Sequence, residues 1–264
     1  MTTEAESIIE KFTRADIRKA AVVMTDAEAR FLVDYYYISQ DDRKRGDNQV
    51  RSMGEEPNMM LTYLADQARR LESTIQKALD DYTKAHTMGS WMREVYGIGP
   101  VLSAGLLAHI DIRKAPTVGH IWRFAGLDPT TKWGKGEKRP HNAKLKTLCW
   151  KIGQSFMKFS GAEECTYGHF YRQRKEYEIA RNERGDNATL AAELLPKFGK
   201  TTEAHKHLST GKLPPGQIDA RARRWAVKLF LSHMHGEWYE REFGTPPPLP
   251  YPVAHLNHAH VIQA

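Results

Sequence analysis

The chain has 264 residues, 27% of them charged and 41% hydrophobic, with a formal net charge of +7 and a sequence pI near 9.3. That length builds one large domain or two small ones, and the cationic surplus favours a polyanionic partner without proving one. The only cysteines are Cys149 and Cys165, outside any CxxC spacing. The acidic start MTTEAESIIEKF lacks a signal-peptide core, and no run reaches the roughly 18 apolar residues of a membrane span. A disulfide scaffold and a membrane-spanning helix are excluded, and a reducing cytoplasm is expected.

Residues 1–20 read as partly helical. Thr25 and Asp26 predict a cap for a helix through AEARFLVDYYYISQDDRKR, with Phe31, Tyr35 and Ile38 on one face. Residues 47–58 read as a loop, because Gly54, Pro57 and Asn58 break regular structure. Asn58 then caps a longer helix in which Leu61, Leu64, Ala68, Leu71, Ile75, Ala78 and Tyr82 step by threes and fours. This seam spans about three heptads and suits a helical hairpin, a dimeric coiled coil or an amphipathic helix lying on a core.

The stretch YGIGPVLSAGLLAHI, residues 96–110, is the most informative in the chain. Gly97 and Gly99 flank Ile98, and glycine reaches left-handed or crowded backbone angles without a steric penalty. Pro100 suits the first helical position, where its missing N–H is no loss. A glycine turn opening into an apolar helix to about His109 leaves first-turn N–H groups in need of partners. A phosphate is one such partner; a turn between packed helices explains the pattern equally well. Ser103 reads as a small packing residue.

IDIRKAPTVGH reads as a connector and IWRFAGLD as a short helix. Residues 129–142, PTTKWGKGEKRPHN, form a glycine-rich basic loop, and Asn142 caps a helix with Leu145, Leu148, Ile152, Phe156 and Phe159 as its core stripe. Between Lys132 and Lys151 stand Lys132, Lys135, Lys138, Arg139, Lys144, Lys146 and Lys151 against one acid, Glu137, with Trp133 among them. Cations pair with phosphates, and an aromatic ring stacks on an exposed base; a solvated loop is the plainer alternative.

Residues 167–183 read as a charged helix carrying Arg172, Arg174 and Lys175, and residues 189–198 as a short one. GKTTEAHKHLSTGKLPPGQ reads as a mobile or weakly helical link, and residues 218–243 as a strong helix with Ala222, Trp225, Leu229, Leu231 and Ser232 inward. On it Arg221, Arg224 and Lys228 share a face at spacings of three and four, with Arg223 off it. Convincing strands and internal repeats are absent. His233, His235, His255, His258 and His260 gather near the end, but no cysteine completes a zinc set; packing is the simpler role. The acids Asp111, Asp128, Asp186 and Asp219 are scattered, unlike a two-magnesium cluster, and no Walker or GxSxG motif occurs.

The order GIGPVLSAGLLAHI, FAGLDP, basic loop, NAKLKTLCWKIG resembles the C-terminal half of the insertion-sequence transposases of the 110/116/902 group, over roughly residues 59–160. The resemblance implies a coiled-coil segment, a helix-hairpin-helix at Gly97–Ile110, an AGL-x-P element at Ala125–Pro129 and a Leu-Arg-like pair at Leu145–Lys146. It also implies a RuvC-like domain with four acids and a catalytic serine after AGL-x-P. The chain as given starts too near the coiled-coil segment for the former, and no serine lies between Gly126 and Ser155. Val101 stands where DNA-repair relatives often carry Lys or Arg, leaving backbone N–H groups to grip phosphate.

The expected fold is mostly α: a coiled-coil region (1–90), a helix-hairpin-helix module (91–165), further helices (166–245) and a proline- and histidine-rich tail (246–264). The expected function is DNA binding of mobile-element or phage type, with DNA preferred over RNA, a homodimer through residues 59–86, no membrane, and no metal, cofactor or catalytic residue. The contacts are Gly97, Gly99, Val101, Lys132, Trp133, Lys135, Lys138, Arg139, Lys144, Lys146, Lys151, Arg221, Arg224 and Lys228. The alternatives are a reduced recombinase or nuclease using magnesium, and an RNA-binding or structural adaptor protein.

Overall fold

A computed structural model describes residues 13–54 and 58–248; these are helical, and no strand occurs among them. They divide into two compact units, one ending at Asp111 and one beginning at Ile112. The stretch 91–165, expected as one module, is therefore shared between both. The GIGP helix falls in the first unit, and the AGLDP element, basic loop and NAKLK helix fall in the second.

The first unit contains α1 (Arg14–Ala21), α2 (Asp26–Ser52), α3 (Met59–Ala85), α4 (Gly89–Glu94) and α5 (Pro100–His109). Thr25 caps α2 through a reciprocal box with Glu28, and the Asn58 side chain accepts from Met60 N at 2.9 Å to start α3. Helices α2 and α3 form an antiparallel hairpin: Tyr82 donates to Asp26 at one end (2.9 Å), and Arg69 pairs with Asp47 at the other (2.8 Å). Helix α2 runs seven residues past Arg45, through a segment expected to be loop, because Asp47 is held by Arg43 and Arg69.

The buried faces also differ from the expected ones. Helix α2 buries Ala29, Val33 and Tyr36, whereas Phe31, Tyr35 and Ile38 face solvent. Helix α3 buries the expected seam residues Ile75 and Tyr82 together with Ala65 and Leu79, whereas the seam residues Leu64 and Leu71 are exposed. The buried stripe is shifted from the expected seam at its first half, where Glu72 turns inward to Arg43 and Gln40, which α2 supplies. Helix α5 is apolar all round and has almost no wet face: Val101, Ala104, Leu106, Leu107 and Ala108 are buried. A helix of that kind belongs in a core, and each fully buried leucine contributes about 2 kcal/mol.

The second unit contains α6 (Val118–Phe124), α7 (Ala143–Lys158), α8 (Thr166–Glu183), α9 (Ala188–Leu194), α10 (Glu203–Ser209) and α11 (Pro215–Phe243), with short 3-10 turns at Ile112–Lys114 and Leu195–Lys197. The Asn142 side chain caps α7 by accepting from Lys144 N and Leu145 N. The core joins α7, α8 and α11 through the rings of Phe156, Tyr167 and Phe230, whose centroids lie 5.1–5.6 Å apart. The buried stripe of α11 is Ala222, Ala226, Val227, Phe230, Leu231, Met234 and Trp238; Trp225, Leu229 and Ser232, expected inward, are only half-buried.

The link expected to be mobile or weakly helical contains the short helix α10 and is docked. Leu208 and Leu213 are buried with Ala191 and Ile218, and Asn182 clasps the Leu213 backbone at 2.8 and 3.0 Å. No helix among the described residues is long and apolar enough to cross a membrane. The tail residues His255, His258 and His260 lie outside the described residues.

Candidate nucleic-acid interface

In the second unit, Ala125 is fully buried and Gly126 adopts φ +65°. A Cβ on Gly126 would lie 2.8 Å from the His141 ring. Glycine is thus required both by its left-handed backbone and by the returning end of the basic loop. Asn142 N donates to Phe124 O at 2.8 Å and closes the loop at its base.

Inside the loop the acids are already occupied. Asp128 accepts from Thr130 N (2.9 Å) and from the hydroxyls of Thr130 and Thr131, and these bonds, the Thr130 amide foremost, hold its carboxyl below the usual range. Glu137 accepts from Gly134 N at 2.7 Å. Lys132, Lys135 and Lys138 are exposed and pair with no carboxylate among the described residues. Arg139 lies over the Trp133 ring at 5.5 Å, with the His141 ring edge-on to that indole. Burial, then the charges of Lys146 and Arg139, push the His141 pKa down, which favours a neutral imidazole.

Helix α7 carries the other wall. Lys146 and Trp150 lie four residues apart, on one helical face, and Trp150 is 60% exposed. Together they line two adjoining cavities. The outer one, of about 400 Å³, has Trp133, Arg139, His141 and Thr147 as its other main walls. The inner one, of about 230 Å³, is walled by Leu127, Cys149, Val227, Arg223 and Arg224 as well. No carboxylate lines either cavity.

The row on α11 does not act as one face. Arg221 Nε lies 3.1 Å from the buried Glu178, which also holds Arg174. The Lys228 ammonium sits 4.1 Å over the Trp122 ring, and burial pushes its pKa down against the opposing charge of Asp128. Arg223, expected to stand apart, lines the inner cavity beside Arg224, paired to Asp219 at 2.7 Å. Arg224 pairs with no carboxylate among the described residues. The residue is exposed, yet partial burial, then the charges of Arg221 and Arg223, lower its pKa from the ordinary value; it stays charged at neutral pH. Lys144 and Lys151, seven apart, lie on another face of α7 and line neither cavity.

In the first unit, Gly97 adopts φ +91°, whereas Gly99 has an ordinary φ of −85° and caps α5 without a side-chain bond. Val101 is only 6% exposed, so its side chain packs inward. Ser103 is buried, as its size suggests. His233 bonds to Tyr167 and His235 to the Ala115 carbonyl. No group of three or more possible metal ligands occurs among the described residues.

The residues that sequence reading missed are Trp150, His141, Arg223 and the apolar wall of the inner cavity. Trp150 carried a signal: it lies off the Leu145–Leu148–Ile152–Phe156 stripe, so a large ring was bound for the outer face. Compared with models of protein families, with curated proteins and with solved structures, the chain matches none.

Proposed function

We propose that the chain is a DNA-binding protein of mobile-element or phage type that grips the phosphate backbone without transposase catalysis. One observation carries this reading. Lys132, Lys135 and Lys138 are exposed in the loop, Arg139 lies over the exposed Trp133, Lys146 and Arg224 share a cavity wall with the exposed Trp150, and the local acids Asp128 and Glu137 are engaged in loop hydrogen bonds. Cations left without acids lower their energy by displacing the counterions of a polyanion. Backbone contacts of this kind fix position and carry no sequence information.

The Gly97–Gly99 turn at the start of α5 is a subsidiary contact made by backbone N–H groups, since Val101 offers no charge and faces inward. The resemblance to insertion-sequence transposases supports the mobile-element setting, and two free buried cysteines suit a reducing cytoplasm.

The test is fluorescence anisotropy with a labelled duplex of unrelated sequence. Affinity is expected to fall by roughly a thousand-fold between about 50 and 200 mM salt if some six phosphates are neutralised. An isotherm unmoved by salt, or no binding at low salt, overturns the proposal.

A further inference from the structure

We infer that the inner cavity behind Trp150 receives an unpaired nucleobase, with its phosphate held by Lys146 and Arg224, so that the protein binds single-stranded nucleic acid in preference to duplex. The inference rests on the nucleic-acid reading above and makes it more specific. Backbone contact alone needs cations and no apolar cavity. Here Leu127, Cys149 and Val227 give the cavity apolar walls, Trp150 gives a broad ring, and Lys146, Arg223 and Arg224 add cations to the lining.

The size is suited to one heterocycle. A cavity of about 150 Å³ lined by aliphatic side chains already holds benzene, and this one measures about 230 Å³. Charge fixes the class of occupant. The lining residues include Lys146, Arg223 and Arg224 but no carboxylate, and only Arg223 is neutralised, by Asp219.

Continuity points to a strand. Lys146 and Trp150 also line the outer cavity, where Trp133 and Arg139 offer a second stacking surface and a second cation. Successive nucleotides of one strand therefore have successive places, base on indole and phosphate on cation, as in groove-type single-strand binders. A duplex keeps its bases stacked inside and cannot fill the inner cavity. Stacking tolerates every base, so the preference is for unpaired structure over sequence.

The full chain should be titrated with labelled oligothymidylate, with the same backbone made abasic, and with duplex, all at one moderate salt concentration. The variants are Trp150→Ala and Trp150→Phe; the side chain is 60% exposed, and a thermal melt checks that both fold. Single strand should bind at least about ten-fold tighter than duplex. Trp150→Ala should weaken single-strand binding by roughly 5- to 150-fold, the range for one lost stack. It should change duplex and abasic binding less than about two-fold, and Trp150→Phe should recover most of the loss. Equal affinity for the base-bearing and abasic strands, or equal losses for single strand and duplex, overturns the inference and leaves the phosphate grip standing. Failure of all three ligands to bind at low salt overturns the proposed function itself.

Discussion

The first unit and the basic loop of the second handle charge in opposite ways. In the first, arginines are closed onto neighbouring acids: Arg14 onto Asp81, Arg43 onto Glu72 and Asp47, Arg69 onto Asp47 and Asp66, Arg93 onto Asp80. The second has the same closure along α8 and α11, where Glu178 and Asp219 each hold two cations. Its basic loop and the Lys146–Trp150 face of α7 lack that closure. A basic pI therefore says less than the distribution of unpaired cations. The glycine turn, the strongest motif in the sequence, opens a helix that serves a core, and the plainer loop holds the available charge.

The comparison is sharpest in stability. Leu106→Ala, in the fully buried α5, should cost about 3 kcal/mol in chemical denaturation. Glu178→Ala should cost about as much in the second unit, because it strands Arg174 and Arg221. Lys135→Ala with Lys138→Ala should stay within about 0.5 kcal/mol of the parent chain. A tolerant Leu106 and a fragile loop would reverse the roles assigned to the two regions.

Next come the two glycines. Gly97→Ala should cost about 1–2 kcal/mol, since an L-residue is strained at φ +91°. A Cβ on Gly99 meets nothing within 4 Å, so Gly99→Ala should leave stability unchanged. It should weaken duplex binding about three-fold, because the added methyl stands in the open space a phosphate would enter while the backbone N–H is kept. Unaltered binding would remove the turn from the interface and confine contact to the second unit.

The smallest effect is in pH dependence, read by hydrogen exchange on each unit. His235 is buried against the Ala115 carbonyl, and burial lowers its pKa. Its contribution is complete above the unfolded value of about 6.5 and is lost as pH falls through the lower folded value. The Arg14 hydrogen bond lowers the Asp81 pKa, so the first unit should hold until pH falls below about 3.9. His235→Gln should remove the second unit's earlier loss. Simultaneous loosening of both units near pH 6 would contradict this.

Local chemistry was legible in the sequence. Thr25, Asn58 and Asn142 cap the helices they precede, and Pro100 opens α5, because caps depend on neighbouring residues alone. Choices made by distant partners were not. Helix α2 passes Asp47 because Arg69 comes from another helix, and the exposed faces of α2 and α3 follow from a hairpin register set by Glu72 and Arg43. The cationic loop was readable as composition; the cavity was not, since Leu127, Cys149 and Val227 meet only when three separate segments pack. Arg221, Arg224 and Lys228 share a helical spacing, but tertiary partners take the first and last.

The central claim is that loop cations without acid partners bind phosphate. The most direct measurement is the salt dependence of duplex affinity for the parent chain, for Lys135→Ala with Lys138→Ala, and for Lys44→Ala, a first-unit control lysine beside Asp41. The account predicts that the loop variant reduces the slope of log affinity against log salt by about two, one per lost phosphate contact, and that the control leaves it unchanged. Equal slopes for all three proteins would contradict it.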